Sequence, residues 1–322
     1  MRRISGIAFA GALAACGSNK ENVKPETQVT KATGPAEKME VKPPEVEVVK
    51  VAPKGGSTPA AVTAAIAPTA PPPIVVQEAK PIVAVPVTTT VVVSPEVKAM
   101  VNATDRTDAD RALDAGRKPG ETLMFFDLKP GMRVAEIGAS RGYTTELIAR
   151  AVGPTGTVYA QNPPAFLASF LKTAVPERMA RPINAKVISA ARDFAAPLPD
   201  DAKSLDEVVS VAIYHDIVGT DVDRHAMNEA IFKALKPGGV YVVIDSSSRA
   251  GAGISEVKTL HRIDEAFVRG ELEAAGFRFE SSGKFLRNPL DARDWNSSPT
   301  AAGDKRGTGD RFALRFLKPH KG

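Results

Sequence analysis

Cysteine is almost missing from this chain of 322 residues, with Cys16 the only one. A single thiol forms neither an intrachain disulfide nor a thiolate metal cluster, so neither device staples the fold. Aromatic residues are absent between Phe9 and Phe125, and half of the 26 prolines lie from Pro25 to Pro95 within that gap. A segment rich in Pro and free of aromatics cannot bury enough apolar surface to offset its chain entropy. A long apolar run is lacking too: Ile4 to Ala15 is about a dozen residues, against the roughly 20 that a bilayer-spanning helix needs. The net charge of +5 comes without any run of Lys or Arg interleaved with aromatics. That scatter is the pattern of a solvated surface, and no nucleic-acid partner is expected.

What is present divides the chain into three parts. Residues 1–16 open with the basic Met1-Arg2-Arg3 and continue as the short apolar run, which suits a signal-peptide core. The run ends in Leu13-Ala14-Ala15-Cys16, which resembles the bacterial lipobox. The resemblance implies cleavage before Cys16 and lipidation of its thiol. Gly17 in place of Asp implies retention at the outer membrane, in the cell envelope and facing the periplasm. The alternatives are a wrongly assigned start or a small-residue helix with an incidental Cys. Residues 17–95 read as a Pro/Val/Ala-rich disordered linker, since repeated Lys-Pro, Val-Pro and Pro-Pro steps favour extended polyproline II. Residues 96–322 hold every aromatic except Phe9 and are long enough for one complete core.

Within that last part, strand and helix patterns alternate. Helices are expected over Glu96–Asp114, Glu121–Phe126, Thr144–Val152, Phe166–Val175, Val222–Leu235 and Asp264–Ala275. Strands are expected over Arg133–Ile137, Thr157–Gln161, Ala185–Ser189, Glu207–Ile213 and Val240–Asp245, with Phe277–Phe285 and Phe312–Leu317 to follow. Central strands that are apolar on both faces belong to a parallel sheet covered by helices on each side. The expectation is a Rossmann-like, doubly wound α/β sheet of about seven strands, mostly parallel, with an antiparallel C-terminal edge hairpin. Such sheets bind ligands beyond the carboxyl ends of their strands, so the residues after each strand are the candidates.

After the first strand comes Glu136-Ile137-Gly138-Ala139-Ser140-Arg141-Gly142, a Gly-bearing turn that enters a helix and aims backbone N–H groups at an anion. Gly138 and Gly142 stand four apart, so the dinucleotide fingerprint is not matched. After the fourth strand, Tyr214-His215-Asp216 offers an acid–base pair, with His215 as base and Asp216 to orient it, or else a strand cap that holds a loop. His261-Arg262 precedes the last helix and is a substrate-side pair or a structural one. His215, His225 and His261 match no zinc spacing, and no metal is expected.

VAEIGASRGYTTELIARAVGPTGTVYAQN and FKALKPGGVYVVID resemble the typical motifs of class I S-adenosylmethionine-dependent methyltransferases. With RALDAGRKPGETLMFFDLKPGMRVAEIG, YHDIV, LHRIDEAFVRGELEAAGF and FLRNP, the stretch from Ala99 to Pro319 resembles a bacterial family of predicted methyltransferases. The resemblance implies the class I methyltransferase fold, with S-adenosylmethionine as cofactor. It places Glu136, Gly138, Ser140 and Gly142 at the methionyl end, Asn162 at the ribose, and Asp193 and Phe194 at the adenine. Tyr214, His261 and Arg262 fall on the acceptor side, Arg262 to bind an anionic acceptor. Two positions depart from the pattern: Ser140 and Arg141 replace glycines, and Asn162 replaces an acid, which lowers the expected affinity for ribose hydroxyls. The implied activity is methyl transfer to a small-molecule or envelope acceptor. The alternative is a non-catalytic envelope binding module on the same fold, and an isoaspartyl-type protein carboxyl methyltransferase is less favoured.

Overall fold

The computed structural model describes residues 91–320, and the signal segment, Cys16 and nearly all of the linker lie outside the described residues. Three helices come first: α1 (Pro95–Val101), α2 (Asp108–Arg117) and α3 (Pro119–Phe126). The single helix expected over Glu96–Asp114 is therefore two. Thr107 accepts from the Asp110 N–H and starts a new helix, as a short hydroxyl side chain at an N-cap does.

The alternating region gives β1 (Arg133–Ile137), α4 (Tyr143–Val152), β2 (Thr157–Asn162), α5 (Pro164–Ala168), α6 (Ala174–Met179), β3 (Val187–Ala191) and β4 (Leu205–Val211). The helix expected over Phe166–Val175 is also two, because the backbone leaves helical geometry at Ser169. After β4 come α7 (Tyr214–Val218), α8 (Arg224–Ala234), β5 (Leu235–Ser246), α9 (Val257–Leu260), α10 (Glu265–Ala274), β6 (Arg278–Gly283) and β7 (Arg311–Leu317). Helix α7 was not expected, and it takes residues that the sequence pattern placed at a strand end. Ala212, at a left-handed φ of 53°, ends the strand and turns the chain into it. No helix among the described residues is long and apolar enough to cross a membrane.

The seven strands form one sheet in the order β3-β2-β1-β4-β5-β7-β6. The first five are parallel, and β7 lies between β5 and β6, antiparallel to both. This is the doubly wound α/β sheet that the strand and helix alternation implies. Successive residues of each central strand point to opposite faces. Ala135, Val208, Tyr241 and Val243 therefore join one core layer with Ile217 of α7, Ile231 of α8 and Leu272 of α10. Val134, Val209, Val242 and Ile244 join the other with Phe126 of α3 and Ile148 of α4. Helices α1 to α3 thus roof the face on which α4 sits.

A charged clamp fixes that roof. Arg178 of α6 donates to both Asp110 oxygens at 2.7 and 2.8 Å and to Glu146 of α4 at 2.7 Å. The side chains of Asp110 and Glu146 are 8% and 3% exposed, so breaking the clamp strands buried carboxylates. Arg178→Ala is expected to destabilise the protein by about 3 kcal/mol in urea unfolding, and Arg178→Lys to restore only part, since an ammonium lacks the planar fork.

Candidate functional site

Strand order reverses between β1 and β4, so the connections leaving these two strands diverge and open a crevice at their carboxyl ends. The β1–α4 connection has positive φ at Gly138 (65°), Ser140 (51°) and Gly142 (78°). A Cβ on Gly138 would lie 2.3 Å from Ile213 Cγ1, so only glycine lets the two connections come this close.

Side chains of β2 close this turn. Gln161 Oε1 accepts from Gly138 N and Asn162 Oδ1 from Ser140 N, each at 2.8 Å. Asn162 Nδ2 donates back to Ser140 O at 3.3 Å, and the residue is buried. Beneath the turn, buried Glu136 accepts from Thr145 Oγ1, and burial pushes its carboxyl up to about 7. At the end of β3, Asp193 is exposed, while Phe194 is buried in the core with its ring edge-on to Phe166.

The β4–α7 connection carries the second group of expected site residues, and the structure separates them. Tyr214 is fully buried: its hydroxyl donates to Glu271 Oε2 and accepts from Asn228 Nδ2, both at 2.9 Å. It holds α7 to α10 and α8 rather than facing an acceptor. His215 is held by Asp245 as well as by Asp216. Its Nδ1 lies 2.6 Å from Asp245 Oδ1, and its backbone N–H donates to Asp245 Oδ2 at 2.9 Å. On the far side of the ring, Nε2 is 3.1 Å from His261 Nδ1 and 3.3 Å from Asp216 Oδ1. Burial opposes a charge on His215, but the Asp245 and Asp216 carboxylates outweigh it and push its pKa up to about 10. The same carboxylates that hold a proton on the ring make it a weaker candidate for a general base.

Arg262, expected on the acceptor side, is engaged within the fold. It is fully buried, donates to Asp291 at 2.8 Å, Ser247 O at 3.0 Å and Trp295 O at 3.0 Å, and stacks on Trp295. Its role is to tie the long β6–β7 connection to the end of β5.

Beside His215 lies a cavity of about 540 Å³. Tyr143 and Thr144 at the start of α4, Val211 and Ala212 at the end of β4, and Trp295 of the β6–β7 connection contribute to its wall. Three arginines line it, Arg117 at the end of α2, Arg306 before β7 and Arg311 at its start, and no Asp or Glu does. None of the three has an ion pair among the described residues. Burial, and then the charge of Arg117, lower Arg311 to about 10; burial and Arg306 lower Arg117, whose guanidinium stacks over Tyr143 at 4.4 Å.

The sequence reading missed Asp245 and these arginines. Asp245 stands at the carboxyl end of an apolar central strand, where ligand chemistry concentrates, and that position was a usable signal. The arginines carried no local signal, since three separate segments bring them together.

No protein-family model matches the chain. Among solved structures, it is similar to a SAM-dependent methyltransferase from Aquifex aeolicus at 18% identity, covering 68% of this chain and 97% of that one, with a TM-score of 0.45. It is also similar to a complex of the Haloferax volcanii Trm112 methyltransferase activator and a putative methyltransferase, at 18% identity, 71% and 100% coverage and a TM-score of 0.46. An arsenic(III) S-adenosylmethionine methyltransferase from Chlamydomonas reinhardtii matches at 14% identity, 70% and 74% coverage and a TM-score of 0.45.

Glu136 makes the turn sensitive to pH. Its folded value of about 7 lies above the ordinary 4.5, so the folded state holds this proton more tightly than the unfolded chain does. The stability it contributes is fully present below about pH 4.5 and is lost as pH rises through about 7. Glu136→Gln, which keeps an acceptor for Thr145, is expected to remove that decline and to raise the melting temperature at pH 8. A variant melting curve that falls with pH as the wild type does would assign the effect elsewhere.

Proposed function

We propose that the domain is an S-adenosylmethionine-dependent methyltransferase and that its acceptor is an anionic small molecule. The observation that carries this reading is the cavity, which joins the start of α4 and the end of β4 to three arginines without carboxylate partners. Cationic side chains that face a cavity without a carboxylate in direct contact favour a carboxylate or phosphate there.

The residues fit the cofactor unevenly. The first turn of α4 has N–H groups without helical partners, which suit the methionyl carboxylate, and Glu136 lies below it. Asp193 is exposed at the end of β3, where a carboxylate accepts from an adenine amino group. Asn162 fits least, because its amide is spent on Ser140. When bound, the cofactor supplies an electrophilic methyl group. The chain then has to hold the acceptor in line with it and exclude water, and the walls of the cavity supply that positioning. The lipobox-like segment supports placing the protein in the bacterial envelope, anchored through Cys16, with an acceptor drawn from that compartment.

One observation favours a second reading, a binding module without catalysis. The Gly138 and Ser140 N–H groups are already satisfied by Gln161 and Asn162, and Ile213 covers Gly138.

Titration of the full chain with S-adenosylmethionine and its demethylated product, followed by calorimetry, separates the two. Methyl transfer requires binding in the micromolar range, weakened about tenfold or more by Asp193→Ala. It also requires tighter binding in Asn162→Asp, where a carboxylate supplies charge-assisted acceptance to ribose. Folded protein that binds neither ligand at millimolar concentration would leave the binding module as the function.

A further inference from the structure

Three side chains that no step above uses as a set converge at the mouth of the crevice. His215 Nε2, His261 Nδ1 and Asp216 Oδ1 form a near-equilateral triangle, with separations of 3.1, 3.2 and 3.3 Å. Ligands about 2.1 Å from a common cation stand about 3.0 Å apart in octahedral geometry and about 3.4 Å apart in tetrahedral geometry. The observed edges fall between these two figures. We propose that His215, His261 and Asp216 bind a divalent first-row transition-metal ion through these three atoms.

The surroundings have the features of a built site. The Nδ1 of His215 faces Asp245, a residue with no exposed surface; an Nδ1–H donated there leaves Nε2 to the metal, which takes the place of the second ring proton and releases it. The same carboxylate also holds the backbone N–H of His215, which fixes the ring and its main chain together. His261 caps α9 with a left-handed backbone (φ 50°, ψ 46°), a conformation that directs its ring and that most side chains avoid. Its carbonyl accepts from Ser297 Oγ at 2.6 Å, and the next residue is the buried, ion-paired Arg262. His261 is therefore held from both sides. The side chains of Asp216 and His261 are 43% and 34% exposed, so an ion reaches the triangle from solvent.

The donor set determines the class of ion. Two imidazoles and one carboxylate suit Zn²⁺, Co²⁺, Fe²⁺ or Ni²⁺, whereas Mg²⁺ and Ca²⁺ take sets composed of oxygens. Three protein ligands leave at least one position for water or an anion, and His215 also lines the cavity of the unpaired arginines. The spacing that argued against zinc in the sequence involved His225. That residue is exposed on α8 and pairs loosely with Glu229 at 3.9 Å, outside the triangle.

The test needs neither cofactor nor acceptor, so it fails or succeeds independently of methyl transfer. The full chain is stripped with chelator and titrated with Zn²⁺ alone and with Co²⁺ alone, by calorimetry and by the visible absorption of cobalt. One equivalent is expected to bind, with no competition from excess Mg²⁺. His261→Asn, in which Asn tolerates the left-handed backbone, and Asp216→Asn, at a half-exposed position, should each lower affinity at least tenfold. Asp245→Asn, which removes the carboxylate behind His215, should lower it by about 10- to 100-fold. His225→Ala should leave it unchanged. Absence of stoichiometric binding, or binding that survives His261→Asn and Asp216→Asn in folded protein, would overturn the proposal. The triangle would then be a hydrogen-bonded cluster around a protonated His215.

Discussion

The central parallel strands β2, β1, β4 and β5 are buried on both faces along most of their length and leave little room for polar chemistry except at their ends. Val134, Ala135, Ile137, Val208 and Val209 are all fully buried, as are Tyr241, Val242 and Val243. The helices covering both faces take the surface that an antiparallel sheet would leave to solvent. Asp245, Glu136, Asn162 and His215 are therefore gathered at the carboxyl ends, where connections diverge at the switch between β1 and β4. The close approach of Gly138 to Ile213 sets the width of the crevice at this point.

Charge is managed in two different ways around that crevice. In the scaffold, buried charges are paired. Arg178 spans Asp110 and Glu146, and Arg262 with Asp291 anchors the β6–β7 connection. Such pairs add little net stability over apolar packing, but they hold the elements in register, and breaking one is costly. In the cavity, Arg117 and Arg311 sit close enough for one to depress the other, without a carboxylate partner among the described residues. A fold that pairs its structural charges and leaves these apart places a demand for negative charge at that spot. This contrast, more than any motif, supports an anionic ligand.

The closed turn and the histidine cluster show why site residues are harder to read than strands. Sequence position put Asn162 at a strand end, where it is, and His215 just after one, where the chain has already entered α7. Their partners came from elsewhere: Ser140 for Asn162, Asp245 and His261 for His215. Adjacency in sequence makes Asp216 visible as a partner of His215, whereas Asp245, 30 residues away, is brought to the ring only by the strand-to-helix geometry. Arg262 shows the opposite case, a residue with the right charge for a ligand that the fold uses internally.

The sequence by itself determined the alternation of strands and helices, the parallel sheet and the Gly-bearing turn after β1. Each of these rests on periodicity and turn chemistry acting over a few residues. Helix breaks at Thr107 and Ser169 were less visible, since the residues around them remain helix-compatible. Only the tertiary structure decided which charged groups meet. The arginine cavity draws on α2, the β6–β7 connection and β7, and the His215–Asp216–His261 triangle on the start of α7 and the end of α9. The physical reason is that local propensity acts along the backbone, whereas electrostatics acts through space, and only packing of the sheet and its helices sets those distances.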